Sequence, residues 1–70
     1  MLRTPVKSSN LQSIGYDLET QTLEIEFKFG KVYQYYNVPN PIYLALMNAL
    51  SHGTYFHKYI KGTYSYRRIQ

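Results

Sequence analysis

Apolar and polar positions alternate from Thr22 to Phe29, where Leu23, Ile25, Phe27 and Phe29 are interleaved with Glu24, Glu26 and Lys28. A period of two sends successive side chains to opposite faces, so this stretch predicts a strand with one buried and one wet face. Leu11 to Tyr16 reads as a shorter strand, with Gly15 a candidate bulge, and Asp17–Gln21 supplies turn residues between the two. Ser8-Ser9-Asn10 carries side chains that bond their own backbone and shape the chain's entry into that strand. Residues 1–7 show no period and read as a flexible lead-in.

Gly30 interrupts the long strand and Val32 to Val38 resumes it, which predicts a hairpin with two possible registers. A two-residue loop brings Val32, Gln34, Tyr36 and Val38 onto the Leu23/Ile25/Phe27 face. A three-residue loop with Gly30 in a left-handed bulge brings Tyr33 and Tyr35 there instead. Gln34 makes a poor core residue, which favours the second.

Beyond Val38, Asn40 is a candidate N-cap and Pro41 suits the first helical position. Ile42, Leu46, Ala49 and Leu50 then recur at helical spacing over 42–51, with Gly53 as the stop. Thr54 is a candidate cap for a second helix over 55–61, ended by Gly62. In that helix Tyr55, Phe56, Tyr59 and Ile60 are expected inside, with His57, Lys58 and Lys61 outside. Thr63 to Ile69 alternates again and reads as a last strand. The fold class is therefore α+β: a small antiparallel sheet in strand–strand–strand–helix–helix–strand order, helices on one side, in a single domain over 1–70.

Size narrows the functional classes. A 70-residue chain without cysteine has neither a disulfide framework nor a thiolate zinc site. Its length leaves no room for a dinucleotide-binding domain or a multi-site catalyst. No segment approaches the ~20 apolar residues of a spanning helix, and no apolar signal core follows Met1. The expectation is a cytoplasmic module without membrane attachment.

Charge is unevenly placed. Residues 1–26 hold Arg3 and Lys7 against Asp17, Glu19, Glu24 and Glu26, whereas 27–70 hold Lys28, Lys31, Lys58, Lys61, Arg67 and Arg68 without an acid. The second part also carries most of the nine tyrosines. Cations interleaved with rings suit a polyanion, because the cations neutralise phosphates while exposed rings stack on bases. The competing reading is a solvated basic face over an aromatic core.

Enzymatic signals are thin. Ser8, Ser9 and Ser51 are hydroxyl nucleophiles, His52 and His57 bases, and Asp17 an orienter in principle, but no nucleophile elbow or glycine-rich oxyanion loop accompanies them. The two histidines stand five apart across a glycine with no acid nearby, a poor ligand set for a metal. The expectation is a non-catalytic protein with no cofactor and no metal.

Several short segments lie in the order of a known family. Val6-Lys7-Ser8-Ser9-Asn10, Ile14-Gly15-Tyr16-Asp17, Leu23-Glu24-Ile25-Glu26-Phe27, Gly30-Lys31-Val32-Tyr33-Gln34-Tyr35 and Val38-Pro39 resemble the KTSC domain. So do Ser51-His52-Gly53, Tyr55-Phe56, Ile60-Lys61-Gly62 and Tyr64. The resemblance runs over roughly residues 6–68. That family occurs at the C-terminus of some lysyl-tRNA synthetases and as small stand-alone bacterial and phage proteins, so the resemblance implies an appended binding role rather than aminoacylation. Tyr33-Gln34-Tyr35 matches the family's central Tyr-x-Tyr.

The expected function is thus RNA binding, to tRNA-like or single-stranded RNA, through Lys31, Tyr33, Tyr35, Lys58, Lys61, Tyr66, Arg67 and Arg68. Four to six phosphate contacts predict a salt slope of about −3 to −5. The alternative is a protein-interaction adaptor, or a phage-type inhibitor, docking through an edge strand at Thr63–Ile69 and an aromatic patch.

Overall fold

The alternating segments form one antiparallel meander in a computed structural model that describes residues 1–70. The strands are β1 (Arg3–Pro5), β2 (Leu11–Asp17), β3 (Thr22–Phe27), β4 (Val32–Tyr35) and β5 (Tyr66–Arg68), and they neighbour one another in chain order. Between β4 and β5 come α1 (Asn40–Asn48) and a short α2 (His52–Tyr55), which continues into a π-helical turn over Phe56–Ile60. The α+β class and the helices between the fourth and last strands follow the sequence pattern.

The lead-in is the first difference. Arg3–Pro5 is a strand, pairing Arg3 with Gly15, Thr4 with Ile14 and Pro5 with Ser13. Three residues are too few to display a period, and Pro5, which lacks an N–H, is tolerated because β1 is an edge strand. Gly15 serves this approach: a Cβ there would meet the Leu2 carbonyl oxygen at 2.8 Å. The bulge expected at Gly15 lies instead between Leu11 and Ser13.

Register in the central hairpin follows the three-residue loop. Leu23 stands opposite Tyr35, Glu24 opposite Gln34 and Ile25 opposite Tyr33. Tyr33 and Tyr35 therefore share the apolar face with Leu23 and Ile25. Leu11, Ile14, Leu23, Ile25 and Tyr35 from the sheet pack with Val38, Leu46, Phe56 and Ile60 in one buried cluster. Tyr16 and Tyr43 close one end of it with stacked rings 4.5 Å apart, and the Tyr16 hydroxyl donates to the Val38 carbonyl.

The opposite face is less wet than alternation implies. Glu24 is buried there, bonded by Arg3 Nη1 and Gln34 Nε2, each at 2.8 Å, and Gln34 Oε1 accepts from the Tyr36 hydroxyl. Ser13 Oγ donates to Glu26 Oε1 at 2.6 Å. A buried carboxylate is tolerated only when paired and hydrogen-bonded, and β1 supplies the cation.

Helix ends also depart from the expected positions. Pro39 is the cap of α1, without a side-chain bond, and α1 stops at Asn48, which leaves Leu50 fully exposed instead of in the apolar stripe. Ser51 caps α2, its hydroxyl accepting from the Thr54 N–H at 3.2 Å, so Thr54 lies inside the helix it was expected to start. Gly53 is within α2 rather than a stop, because its missing side chain admits Asn10: a Cβ would lie 2.4 Å from Asn10 Oδ1. His52 Nδ1 lies 2.8 Å from the Leu46 carbonyl oxygen, which can only accept, so that nitrogen carries its proton and ties α2 to the end of α1. Phe56 and Ile60 point inward as expected, whereas Tyr59 is 47% exposed and leans on Tyr55, with ring centroids 4.7 Å apart. The last strand is shorter than expected, spanning Tyr66–Arg68, although Ile69 and Gln70 also bond Val32 of β4 through their backbones.

Candidate nucleic-acid interface

Rings dominate the open end of the apolar face. Phe27 meets Tyr33 and Phe56 edge-on at 5.6 and 5.5 Å, and Tyr35 meets Phe56 edge-on at 5.3 Å. Tyr66, carried in by β5, lies 5.7 Å from both Tyr33 and Tyr35. Its partner across the ladder is Tyr35, so the two side chains share a face. These five rings form the wall of a hollow of about 740 Å³. That volume falls within the range of sites that hold a small organic ligand.

Cations rim it. Lys28 and Lys31 come from the β3–β4 loop together with Phe29, and His57 and Lys61 come from the π-helical turn and its end. His57 and Lys61 are four residues apart and so lie on one side of the helical segment. The Lys61 N–H bonds the Phe56 carbonyl at 2.9 Å, the five-residue spacing of a π turn, a geometry frequent at functional sites. Ser9 and Asn10 complete the rim, and the Asn10 carbonyl accepts the Lys28 N–H at 2.9 Å, fastening the loop to the start of β2. The Ser8 hydroxyl accepts from the Asn10 and Leu11 N–H groups, the local bonding expected of that turn.

No acid lines the hollow. Glu24 and Glu26 are held on the other face of the sheet by Arg3, Gln34 and Ser13, and Asp17 and Glu19 lie at and just beyond the distal end of β2. The sheet thus separates charge, with paired carboxylates on one face and unpaired lysines at the rim of the other. Low-dielectric walls under such a rim focus a positive potential outward. Burial, followed by the neighbouring Tyr33 and Tyr66 hydroxyls, pushes the Tyr35 hydroxyl up to about 12.

The residues singled out from the sequence distribute unevenly around this feature. Lys31, Tyr33, Tyr35, Lys61 and Tyr66 line the hollow. Lys58 lies beside it, in a shallower depression that shares Ser9, Asn10 and His57, with its Nζ 5.4 Å from the Tyr59 ring centroid. Arg67 is elsewhere: it stands opposite Gln34, in the row that contains Glu24, on the far face. Arg68 shares a face with Tyr33, but its Nε bonds the Gln70 carbonyl at 3.1 Å and it is not part of the lining. Adjacent strand residues point to opposite faces, so Arg67 and Arg68 do not act together.

Lys28, Phe29 and His57 line the hollow and were not singled out. Lys28 opens the three-residue loop Lys28–Gly30 and Lys31 follows it, and His57 and Lys61 stand at helical spacing, which are the signals that point to them. Phe29, expected on the buried face, is fully exposed because the strand ends at Phe27.

The fold and the hollow define a small α+β meander with a basic, ring-lined cavity under one end of its helical layer. A family profile of the KTSC domain matches residues 7–64, and the chain belongs to that family. An uncharacterised protein of Stutzerimonas stutzeri is 44% identical over 70 residues, covering 99% of each chain. A lysine–tRNA ligase of Trichormus variabilis is 43% identical over 63 residues, which cover 90% of this chain but 11% of the ligase. The chain thus spans about a tenth of the length of the ligases it matches. Among solved structures, a KTSC domain protein from Yersinia pestis superposes with a TM-score of 0.93 at 43% identity, covering 99% of this chain and 97% of that one. No helix is long and apolar enough to cross a membrane.

Proposed function

We propose that this chain is a non-catalytic module that binds RNA, with the ring-lined hollow as its contact surface. One observation carries the reading: Lys28, Lys31 and Lys61 surround exposed aromatic surface from which every carboxylate is absent. Rings offer faces to unpaired bases and lysines neutralise phosphates, the combination that single-stranded nucleic acid selects. The presence of the domain within lysine–tRNA ligases supports a ligand related to tRNA.

The edge of β5 favours a protein partner less. It is three residues long and carries Arg67 and Arg68, and short cationic edges resist the addition of another strand.

A salt-titrated binding assay with tRNA and a single-stranded oligomer tests the reading. Four lysines at and beside the hollow predict a slope of log affinity against log salt of about −3. Binding that ignores salt, or no binding at low salt, contradicts it. Retention of a protein band after nuclease treatment in a pull-down would instead favour the adaptor.

A further inference from the structure

Phe29 is the residue that the fold does not explain. Its backbone is left-handed, at φ 74° and ψ 14°, and the residue is fully exposed. Aromatic residues seldom adopt that region, where crowding at Cβ carries a cost that asparagine or glycine largely avoids. Every other ring on the wall of the hollow has ring neighbours, whereas Phe29 pairs with none. Neither burial nor stacking offsets the strained backbone. Sparsely populated conformations of this kind concentrate at ligand clamps, where the surrounding structure holds them in place.

The hold is visible. The Lys28 N–H bonds the Asn10 carbonyl at 2.9 Å, anchoring the start of the loop, and the Phe27 N–H bonds the Lys31 carbonyl at 2.8 Å, closing its base. Gly30 continues the turn at φ 97°. The ring of Phe29 is thereby presented at the mouth of the hollow, between Lys28 and Lys31 in sequence.

Resting on the nucleic-acid reading above, we propose that this mouth is a receptor for one unpaired nucleotide, with Phe29 as the ring that stacks on its base. A ligand that engages an isolated ring and three lysines together must carry a flat π surface and a negative charge a few ångströms apart. A nucleotide has both. A paired base does not qualify, because its faces are already covered by its neighbours in the duplex. The receptor therefore selects single-stranded segments, loops or strand ends over helical RNA. Phe29 supplies the stacking face, and Lys28, Lys31 and Lys61 meet the phosphate.

The test is fluorescence anisotropy with a labelled oligoadenylate and with a blunt-ended RNA duplex, on the wild-type chain and three variants. Phe29→Asn is expected to weaken oligoadenylate binding roughly ten- to a hundredfold, the value of one base–ring stack, while its melting temperature holds or rises. Phe29→Tyr retains affinity within about threefold, because the stacking face is preserved. Phe29→Leu behaves like Phe29→Asn, and the duplex binds the wild-type chain more weakly than oligoadenylate does, a preference that Phe29→Asn and Phe29→Leu lose. Wild-type affinity in Phe29→Asn or Phe29→Leu overturns the assignment of Phe29 while leaving RNA binding in place. A melting temperature that falls in Phe29→Asn overturns it too, by showing the ring to be structural. Absence of oligoadenylate binding by the wild-type chain removes the RNA reading itself, so the two failures are distinct.

Discussion

Reversing Lys28, Lys31 and Lys61 to Glu together abolishes retention of single-stranded RNA, with an expected loss of at least about a hundredfold at low salt. Three charge-assisted contacts at about 1 kcal/mol each already account for that factor, before repulsion by the new carboxylates is counted. None of the three lysines has an acidic partner to lose, and Lys31 and Lys61 are exposed, so folding is little affected. Anisotropy measures the affinity and a thermal melt confirms the fold. Reversing Arg67 alone is the control for reversing Lys31 alone, because each changes net charge by two. It changes net charge but stands on the far face beside Gln34, so it leaves affinity within about threefold. Equal losses from both faces would mean that overall charge, rather than this hollow, attracts the ligand.

Truncation of Ile25 to Ala has the largest expected effect on stability. Ile25 is fully buried, stands between Ile14 on β2 and Tyr33 on β4, and lies under the helical layer in the main cluster. Removing three carbons from a site held rigidly by strands on both sides leaves a cavity that cannot collapse, at a cost of about 2–5 kcal/mol. A domain of this length has on the order of 4–10 kcal/mol in total, so the variant is expected to lose about half of it. Urea denaturation reads the change as a lower midpoint with an unchanged slope. A midpoint near that of the wild-type chain would contradict the placement of Ile25 at the centre of the core.

The long-range pattern was legible where one period held over several residues. Thr22–Phe27 announced β3 by strict alternation, and Gln34, unsuited to a core, chose the register that brings Tyr33 and Tyr35 beneath the helices. Features governed by contacts between distant segments were not. β1 is three residues long and exists because Gly15 admits it and Glu24 needs the charge of Arg3. Likewise, Gly53 suggested a stop, whereas its role is to make room for Asn10 from the other end of the chain.

The site was partly legible for the same reason. Composition showed that cations and tyrosines gather after Glu26, and five of the eight residues named from the sequence line the hollow. Proximity in sequence grouped Arg67 with Arg68, whereas strand geometry sends them to opposite faces. Phe29 was hidden because continued alternation placed it in the core, and only the three-residue loop turns it outward. The π turn that carries His57 and leads into Lys61 has no sequence signature short of its backbone bond from Lys61 to Phe56.

Amide and side-chain NMR shifts during titration with a short single-stranded RNA examine most directly whether the helical side of this sheet is where ligand sits. Perturbations are expected at Lys28, Phe29, Lys31, Tyr33, Lys61 and Tyr66, fading as salt is raised, with Arg3, Ser13 and Gln34 silent. Shifts concentrated on the Arg3–Glu24–Gln34 face, or spread evenly over both faces of the sheet, would contradict it.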